Sequence, residues 1–481
     1  MTAITASVVI MVIRGVAGPA KPLPVFRAAP PSPSWFLQFH LARAVTPIMP
    51  WIAVLLGATG LLAALIATRR GWRPSHRRLI AASVIAVLAL MLIPPVASGD
   101  PLYYAAYGRI ALLGHNPYVA GSNKFLPPGD PIAAAIRQYV PLPASAYGPF
   151  ATLTEKAAAA IGGDSPARIL FWLKVWNALA YLSLVLALDL VTRTDRTRRI
   201  RVHLMWSVNP LMLFLLMADG HNDVLGAALG ATALFAMRKA KWQRAFCAAV
   251  MLVLAAAVKT SMVLFGAGIV WAARRSPRAL AALAAGAAAV LVPFSLVDGR
   301  SVLTATTFGL ESRERTNLLW HDLARLVTST HADALINVAG LLASGALALI
   351  LLWRLPQGPP DLPGVREALA LILAFLIASP YEQAWYDAML FPLLAVMAVS
   401  RLDWVAVAHV SALTLYSVPY FYPAHPSAWS LVERYGTDVP FTLALAATGV
   451  ALLWLCWTRD WRQSAPEDPL PGAPVASPGT A

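Results

Sequence analysis

The chain has 481 residues, 58% of them hydrophobic and only 13% charged, with a mean hydropathy of +0.63 and a formal net charge of +15. Soluble domains carry about a quarter of their residues as Asp, Glu, Lys and Arg, so this composition excludes an ordinary soluble enzyme, and its apolar content excludes a disordered chain. Basic residues come in short clusters between apolar runs, which does not describe a nucleic-acid-binding surface, and an all-α polytopic membrane protein remains.

Residues 3–13 are apolar and stop at Arg14; they read either as a short additional span or as a mis-assigned start. A span needs roughly 20 mainly apolar residues. Stretches of this kind lie near 47–68, 78–97, 169–191, 202–218, 222–237, 244–258, 260–273, 279–297, 333–353, 366–379, 385–400, 403–419 and 439–457, about thirteen transmembrane helices in all. The expected organisation is an N-terminal segment (1–46), a transmembrane domain (47–457) and a cytoplasmic tail (458–481). The tail is rich in Pro, Ala, Gly and Ser from Ser464 onward, which predicts disorder. The two cysteines, Cys247 and Cys456, lie within apolar runs and suggest no disulfide framework.

Lys and Arg stay in short cytoplasmic loops. Four clusters fall on alternate loops: Arg69, Arg70, Arg73, Arg77 and Arg78; Arg193, Arg196, Arg198, Arg199 and Arg201; Arg238, Lys239, Lys241 and Arg244; Arg274, Arg275 and Arg278. They agree on one topology and read as cytoplasmic anchors. The long loops 98–168, 298–332 and 420–438 then face outward, and they hold many of the acidic residues with Tyr, Trp, His and Pro. Loops of that length are functional or disordered, and these are too aromatic for disorder. The working face is expected on the extracytoplasmic side of the plasma membrane.

The first outer loop opens with Asp100-Pro101-Leu102-Tyr103-Tyr104, followed by Tyr107 and Arg109. Asp100 fits a helix N-cap. It equally fits a base at the hydrocarbon edge, beside tyrosines sharing a helical face, able to deprotonate a sugar hydroxyl. Asn116, in Gly114-His115-Asn116-Pro117-Tyr118, and Tyr147, before Gly148-Pro149, lie in rigid turns. The short loop Asp219-Gly220-His221-Asn222-Asp223 places charges at a membrane boundary, where each costs up to roughly 2.5–3.5 kcal/mol if deep. Capping of the next helix by Asn222 or Asp223 is the plainer role. A metal would need third and fourth ligands at fixed spacing; none is found, so no metal or other cofactor is assigned and a divalent cation is not indicated. Lys259 closes an apolar stretch on the outer side, and Arg313, Arg315 and His321 lie in the second outer loop, all suited to a lipid-linked phosphate. Trp385 and Tyr386 occupy a further outer turn, where an interfacial aromatic belt is the alternative. No phosphate-cradling loop, dinucleotide glycine motif, zincin motif or serine elbow occurs, which disfavours a nucleotide-sugar enzyme.

Asp100-Pro-Leu-Tyr-Tyr, Tyr107-Gly108-Arg109, Gly114-His-Asn116-Pro117-Tyr118 and Tyr147-Gly148-Pro149 resemble the first outer loop of GT-C glycosyltransferases. In particular they resemble the polyprenol-phosphomannose-dependent α-1,6-mannosyltransferases of actinobacteria. Asn209-Pro210-Leu211, His221-Asn222-Asp223, Lys259 and Trp385-Tyr386 follow in the same order, so the resemblance runs from about 47 to 457. Ala384 and Asp387 depart from the Pro and apolar residue often found beside the Trp-Tyr pair.

The resemblance implies a GT-C fold with juxtamembrane helices in the first outer loop, and inverting transfer of mannose from a polyprenyl-phosphate-sugar donor to a mannan or glycolipid acceptor of lipomannan type. The bilayer is the other partner and nucleic acid is none. Asp100 takes the catalytic position. Lys259, Arg313, Arg315 and His321 would bind the donor phosphate. Tyr103, Tyr104, Tyr107, Arg109, Asn116, Tyr147, His221, Asn222, Asp223, Trp385 and Tyr386 would line the sugar and acceptor. The rival readings are an arabinofuranosyl or other polyprenyl-phosphate-sugar transferase and a multi-span lipid transporter or flippase.

Overall fold

The computed structural model describes residues 1–16, 48–136, 141–239, 241–311, 320, 323–324, 332–418 and 439–461, with 297–311 and 332–333 as backbone only. In chain order its longer helices are α1 (Thr2–Val16), α2 (Met49–Arg69), α3 (His76–Met91), α4 (Asp100–Leu112), α5 (Pro149–Gly162), α6 (Pro166–Thr192), α7 (Arg196–Ala218) and α8 (Asp223–Ala236). They continue as α9 (Trp242–Ala256), α10 (Thr260–Ala273), α11 (Pro277–Glu311), α12 (Ala332–Arg354), α13 (Val365–Ala378), α14 (Ala384–Val396), α15 (Leu402–Ser417) and α16 (Val439–Thr458). No strand occurs among the described residues, and the protein is an all-α polytopic membrane protein.

The expected spans fall on helices, yet among the described residues only six helices are long and apolar enough to cross a membrane: α2, α6, α7, the Pro277–Leu296 part of α11, the Ala334–Arg354 part of α12, and α16. The others are too short. At 14 residues α8 rises about 21 Å, less than the roughly 30 Å of hydrocarbon. Composition finds apolar helices; it does not separate a full span from a helix buried among neighbours.

Local chemistry sets the boundaries. Proline sits in the first turn of α2, α4, α5 and α6, where its missing amide costs nothing. Ser165 caps α6 through the Arg168 amide, and Asp195 caps α7 through that of Arg198 at 3.0 Å. Inside α7, which is buried from Ile200 to Ala218, Pro210 cannot donate and breaks the ladder. Asn209 repairs it, accepting from the Leu211 amide at 3.0 Å and donating to the Met205 carbonyl at 2.9 Å. Widened turns over His203–Ser207 and Leu213–Ala218 flank the break.

The apolar run before Arg14 forms α1, 15 residues long and so shorter than a full span. It packs on α2, Ser7 Oγ donating to the Ala53 carbonyl at 2.6 Å, and Ile4, Met11 and Arg14 are buried. The apolar core contains Ile4 and Met11 alongside residues of the later helices.

A second, smaller core lies in the first long loop. Tyr104, Tyr107 and Ile110 of α4, Ala158 of α5, Leu170 of α6 and Val258 form it, so this loop is a folded helical layer. At the opposite end of the bundle the second arginine cluster is more than a solvated anchor. Arg199 grips Asp189 through two 2.6 Å bonds, and buried Arg201 holds Asp403 through two at 2.7 Å. The tail from Ser464 and the loop 420–438 lie outside the described residues.

α4 and α5 meet where Gly108 faces the Glu155 carbonyl, and any Cβ there would collide with it. Gly108→Ala should therefore force the helices apart and cost about 1–3 kcal/mol, read as a lowered thermal midpoint in detergent; an unchanged midpoint would mean that the two helices have room to spare.

Candidate active site

Five short segments converge at one end of the bundle: the start of α4, the Tyr147 turn, the α7–α8 turn, the α9–α10 junction and the start of α14. Gly99, which has no side chain to cap with, occupies the N-cap of α4, and Asp100 is its first residue. The carboxylate is about a quarter exposed and faces His221, Oδ2 to Nδ1 at 3.5 Å. One turn on, the Tyr104 hydroxyl meets that of Tyr147 at 2.9 Å and His221 Nδ1 at 3.5 Å. Burial raises both phenols well above their usual range, with Asp100 and Asp223 adding to it, so they stay protonated.

Gly220, at φ +82°, lets the chain reverse between α7 and α8 beneath Pro101 and Lys174. This brings His221, fully buried, against Trp385 with ring centroids 3.7 Å apart and nearly parallel. Asp223 opens α8 and receives Lys259 Nζ at 2.9 Å. The ammonium also lies 3.8 Å from the centroid of the Tyr386 ring and 5.2 Å from that of Tyr147. Burial alone would lower the Lys259 amine; Asp223 and Tyr386 reverse this, and the net shift is upward, which keeps it charged.

Several buried polar atoms here have no hydrogen-bond partner: His221 Nε2, both amide atoms of Asn222, Asp223 Oδ2 and Trp385 Nε1. Buried polar groups are nearly always paired. Their concentration around one imidazole marks where a polar ligand would be bound.

The structure thus joins Asp100, Tyr104, Tyr147, His221, Asn222, Asp223, Lys259, Trp385 and Tyr386. Others serve the loop. Arg109 bridges Asp130 at 3.0 Å and Asp164 at 2.7 Å, and Asn116 accepts from the Tyr118 amide at 2.8 Å. Tyr103 stacks on Tyr107, whose hydroxyl donates to the Pro143 carbonyl at 3.1 Å. Arg313, Arg315 and His321 lie outside the described residues.

Three further residues hold the frame. Asp219 Oδ1 accepts from the Ala97 amide at 2.6 Å, and the Ser98 amide also bonds this carboxylate. Lys174 Nζ reaches the Ile93 carbonyl at 2.7 Å and that of Ala218 at 3.3 Å, and Asn177 donates to the His221 carbonyl at 3.1 Å. Burial pushes the Asp219 carboxyl up to about 6, against the pull of His221 and the Ala97 amide. The available signal was Lys174 and Asn177 three residues apart in an apolar run, on one face of α6.

A family model described as the alpha-(1->6)-mannopyranosyltransferase N-terminal domain matches residues 2–275, more than half of the chain. The chain belongs to this family. No curated protein matches it. The protein is therefore an α-1,6-mannosyltransferase, a membrane enzyme that needs a sugar donor and an acceptor. The matched part of the mannosyltransferase contains Asp100, Tyr104, Tyr147, the His221–Asp223 turn and Lys259. Trp385 and Tyr386 come from beyond it.

Asp219→Asn keeps an acceptor for the Ala97 amide, whereas Asp219→Ala leaves buried donors unmet, at about 1–3 kcal/mol. The alanine variant of the mannosyltransferase should lose thermal stability and activity together while the asparagine variant retains most of both; equal behaviour of the two would show that the bond carries nothing.

Proposed function

We propose that this mannosyltransferase moves mannose from polyprenyl-phosphate-mannose to a hydroxyl of a mannan or glycolipid acceptor, with inversion, on the extracytoplasmic face of the plasma membrane, in a GT-C architecture. The observation that carries the proposal is the Asp100 carboxylate, partly exposed, 3.5 Å from His221 and beside a cluster of buried, unpartnered polar atoms. Lysine and arginine clusters at the other end of the bundle support the sidedness.

The reaction is a single in-line displacement. As the acceptor oxygen bonds to the anomeric carbon, its proton passes to Asp100, and the bond from that carbon to the phosphate oxygen breaks on the opposite face. The phosphodiester leaves as a phosphomonoester and gains negative charge. Lys259, kept charged by Asp223, is placed to offset it. Its Asp223 partner means that it acts as a held positive charge. His221 orients Asp100 through Nδ1 and offers Nε2 to a sugar hydroxyl, with Trp385 as the stacking wall. Asn222 and the free oxygen of Asp223 complete the hydroxyl contacts. Tyr104 and Tyr147, neutral and linked, form the floor.

Asp100→Asn preserves shape while removing basicity. Transfer from radiolabelled polyprenyl-phosphomannose should fall by about 10²–10⁴-fold in kcat, with donor KM little changed. A purified variant working at the wild-type rate would sink the assignment. An arabinose-linked donor run in parallel should give no product, and transfer from it alone would overturn the mannose donor.

The Lys259–Asp223 pair separates fold from chemistry. Lys259→Met alone leaves a buried carboxylate unpaired and should destabilise by about 3–5 kcal/mol. The double variant K259M/D223L should recover most of that stability, read by thermal unfolding, and still transfer no mannose. Recovered transfer in the double variant would reduce the pair to a structural one.

A further inference from the structure

At the end of the bundle opposite Asp100, an open groove of about 510 Å³ lies between the last turn of α2, the first turn of α15 and the last turns of α16. Its rim carries Arg69 and Arg401, and its walls are Trp404, Val405, Trp454 and Leu455. Arg69 also borders an adjoining cavity of about 170 Å³ that Arg73 helps to line. Ligand sites of small-molecule size span about 300–1,000 Å³.

The charges do not cancel. No carboxylate partner is described for Arg69, which is half-buried. Arg73 donates to backbone carbonyls, that of Thr68 at 2.6 Å. Arg401 pairs with Asp460 at 2.6 Å, both side chains more than two-fifths exposed, which leaves the rest of that guanidinium available. Deeper in, Arg201 is fully engaged by Asp403 and by the Leu394 and Met397 carbonyls, so it adds no free charge. The groove therefore joins surplus guanidinium groups at headgroup height to an apolar wall running down the bundle. Trp454 projects from that wall, 62% exposed, as tryptophan does at a membrane interface.

We propose that this groove is a binding site for an anionic glycerophospholipid of the membrane leaflet on that side, its phosphate held by Arg69 and Arg401 and its first acyl carbons laid along Val405, Leu455 and Trp454. The chemistry singles out this occupant. A free phosphate ion would use the rim and leave the apolar wall bare; a zwitterionic lipid would bring its own cation to a rim already positive. Arginine is suited to phosphate because its planar fork presents parallel donors, and basic pockets between helices at a leaflet surface recognise such headgroups. The site is distinct from the sugar-transfer end and does not depend on the donor assigned there.

Native mass spectrometry of the intact protein in detergent, titrated with phosphatidylglycerol, tests this. The wild type should retain a saturable phosphatidylglycerol adduct that phosphatidylcholine forms at least about 10-fold more weakly. R69Q/R401Q should weaken the adduct by a similar factor, whereas R244Q, which removes an exposed basic residue from a different cluster, should leave it unchanged. A451W narrows the groove without touching its charges and should weaken binding too, which guards against a charge variant that fails to fold; thermal midpoints in phosphatidylcholine nanodiscs report folding for all four. Equal phosphatidylglycerol binding by wild type, R69Q/R401Q and A451W would overturn the proposal. So would stabilisation by inorganic phosphate equal to that by phosphatidylglycerol, or preferential retention of polyprenyl phosphate over phosphatidylglycerol.

Discussion

The site end of the enzyme depends on a buried polar knot beneath it. Asp219 accepts the Ala97 amide, and Lys174 holds the carbonyls of Ile93 and Ala218. These bonds tie the irregular stretch after α3 to the end of α7, and that stretch leads directly into Asp100. In water such bonds net only about 1 kcal/mol each. Buried in a helical bundle the alternative is an unpaired group, at several times that cost, so the chain has little freedom to place α4 anywhere else. The position of Asp100 opposite His221 follows from this tie, together with the left-handed turn at Gly220.

Pairing divides the ionisable residues into two kinds. Arg109, Arg199 and Arg201 are satisfied by carboxylates, and their effect is to fix loops and helix ends. Around His221 the balance is different: the imidazole, Asn222, Asp223 and Trp385 each keep a buried polar atom without a partner. Each of those atoms weighs against folding by about 1–3 kcal/mol, and a bound sugar ring, with hydroxyls all around it, is a natural complement. Lys259 stands between the two kinds. It is paired, but its pair is flanked by two aromatic rings and opens toward the same cluster.

Much of this was legible from sequence because a membrane makes polarity informative. In apolar runs, Asp100, His221, Asp223 and Lys259 stand out, and the structure brings these four together. Helix positions were legible too, since apolar runs of this length have few other solutions. Span length was not: α8, α9 and α10 are as apolar as a crossing helix but are bounded by caps and turns whose depth depends on neighbours. In sequence Asp100 fits an N-cap and a base alike; the structure gives the cap position to Gly99. Arg109 reads as a sugar contact because the sequence hides its partners, Asp130 and Asp164, 21 and 55 residues away; Asn116 turns the chain locally, as its place between Gly114 and Pro117 suggests. Asp219 was visible, but its acceptor role belongs to an amide 122 residues away.

The matched region ends at residue 275, yet the cluster it contains is not closed by that region. Trp385 covers His221, and Tyr386 covers Lys259 at 3.8 Å; both come from α14. A cation under an aromatic face gains about 0.5–2 kcal/mol, more as water is excluded, and the same ring shields the pair from solvent. α14 is in turn anchored at both ends: Glu382, just before it, pairs with His409 of α15, and at its far end the Leu394 and Met397 carbonyls receive Arg201 of α7, itself locked to Asp403 of α15. The second half of the chain therefore acts on the site through two aromatic rings on a helix held at both ends by buried pairs, Glu382–His409 and Arg201–Asp403. Replacing His409 or Asp403 would loosen these anchors, and with them the cover over Lys259 and His221, without altering any residue in the matched region.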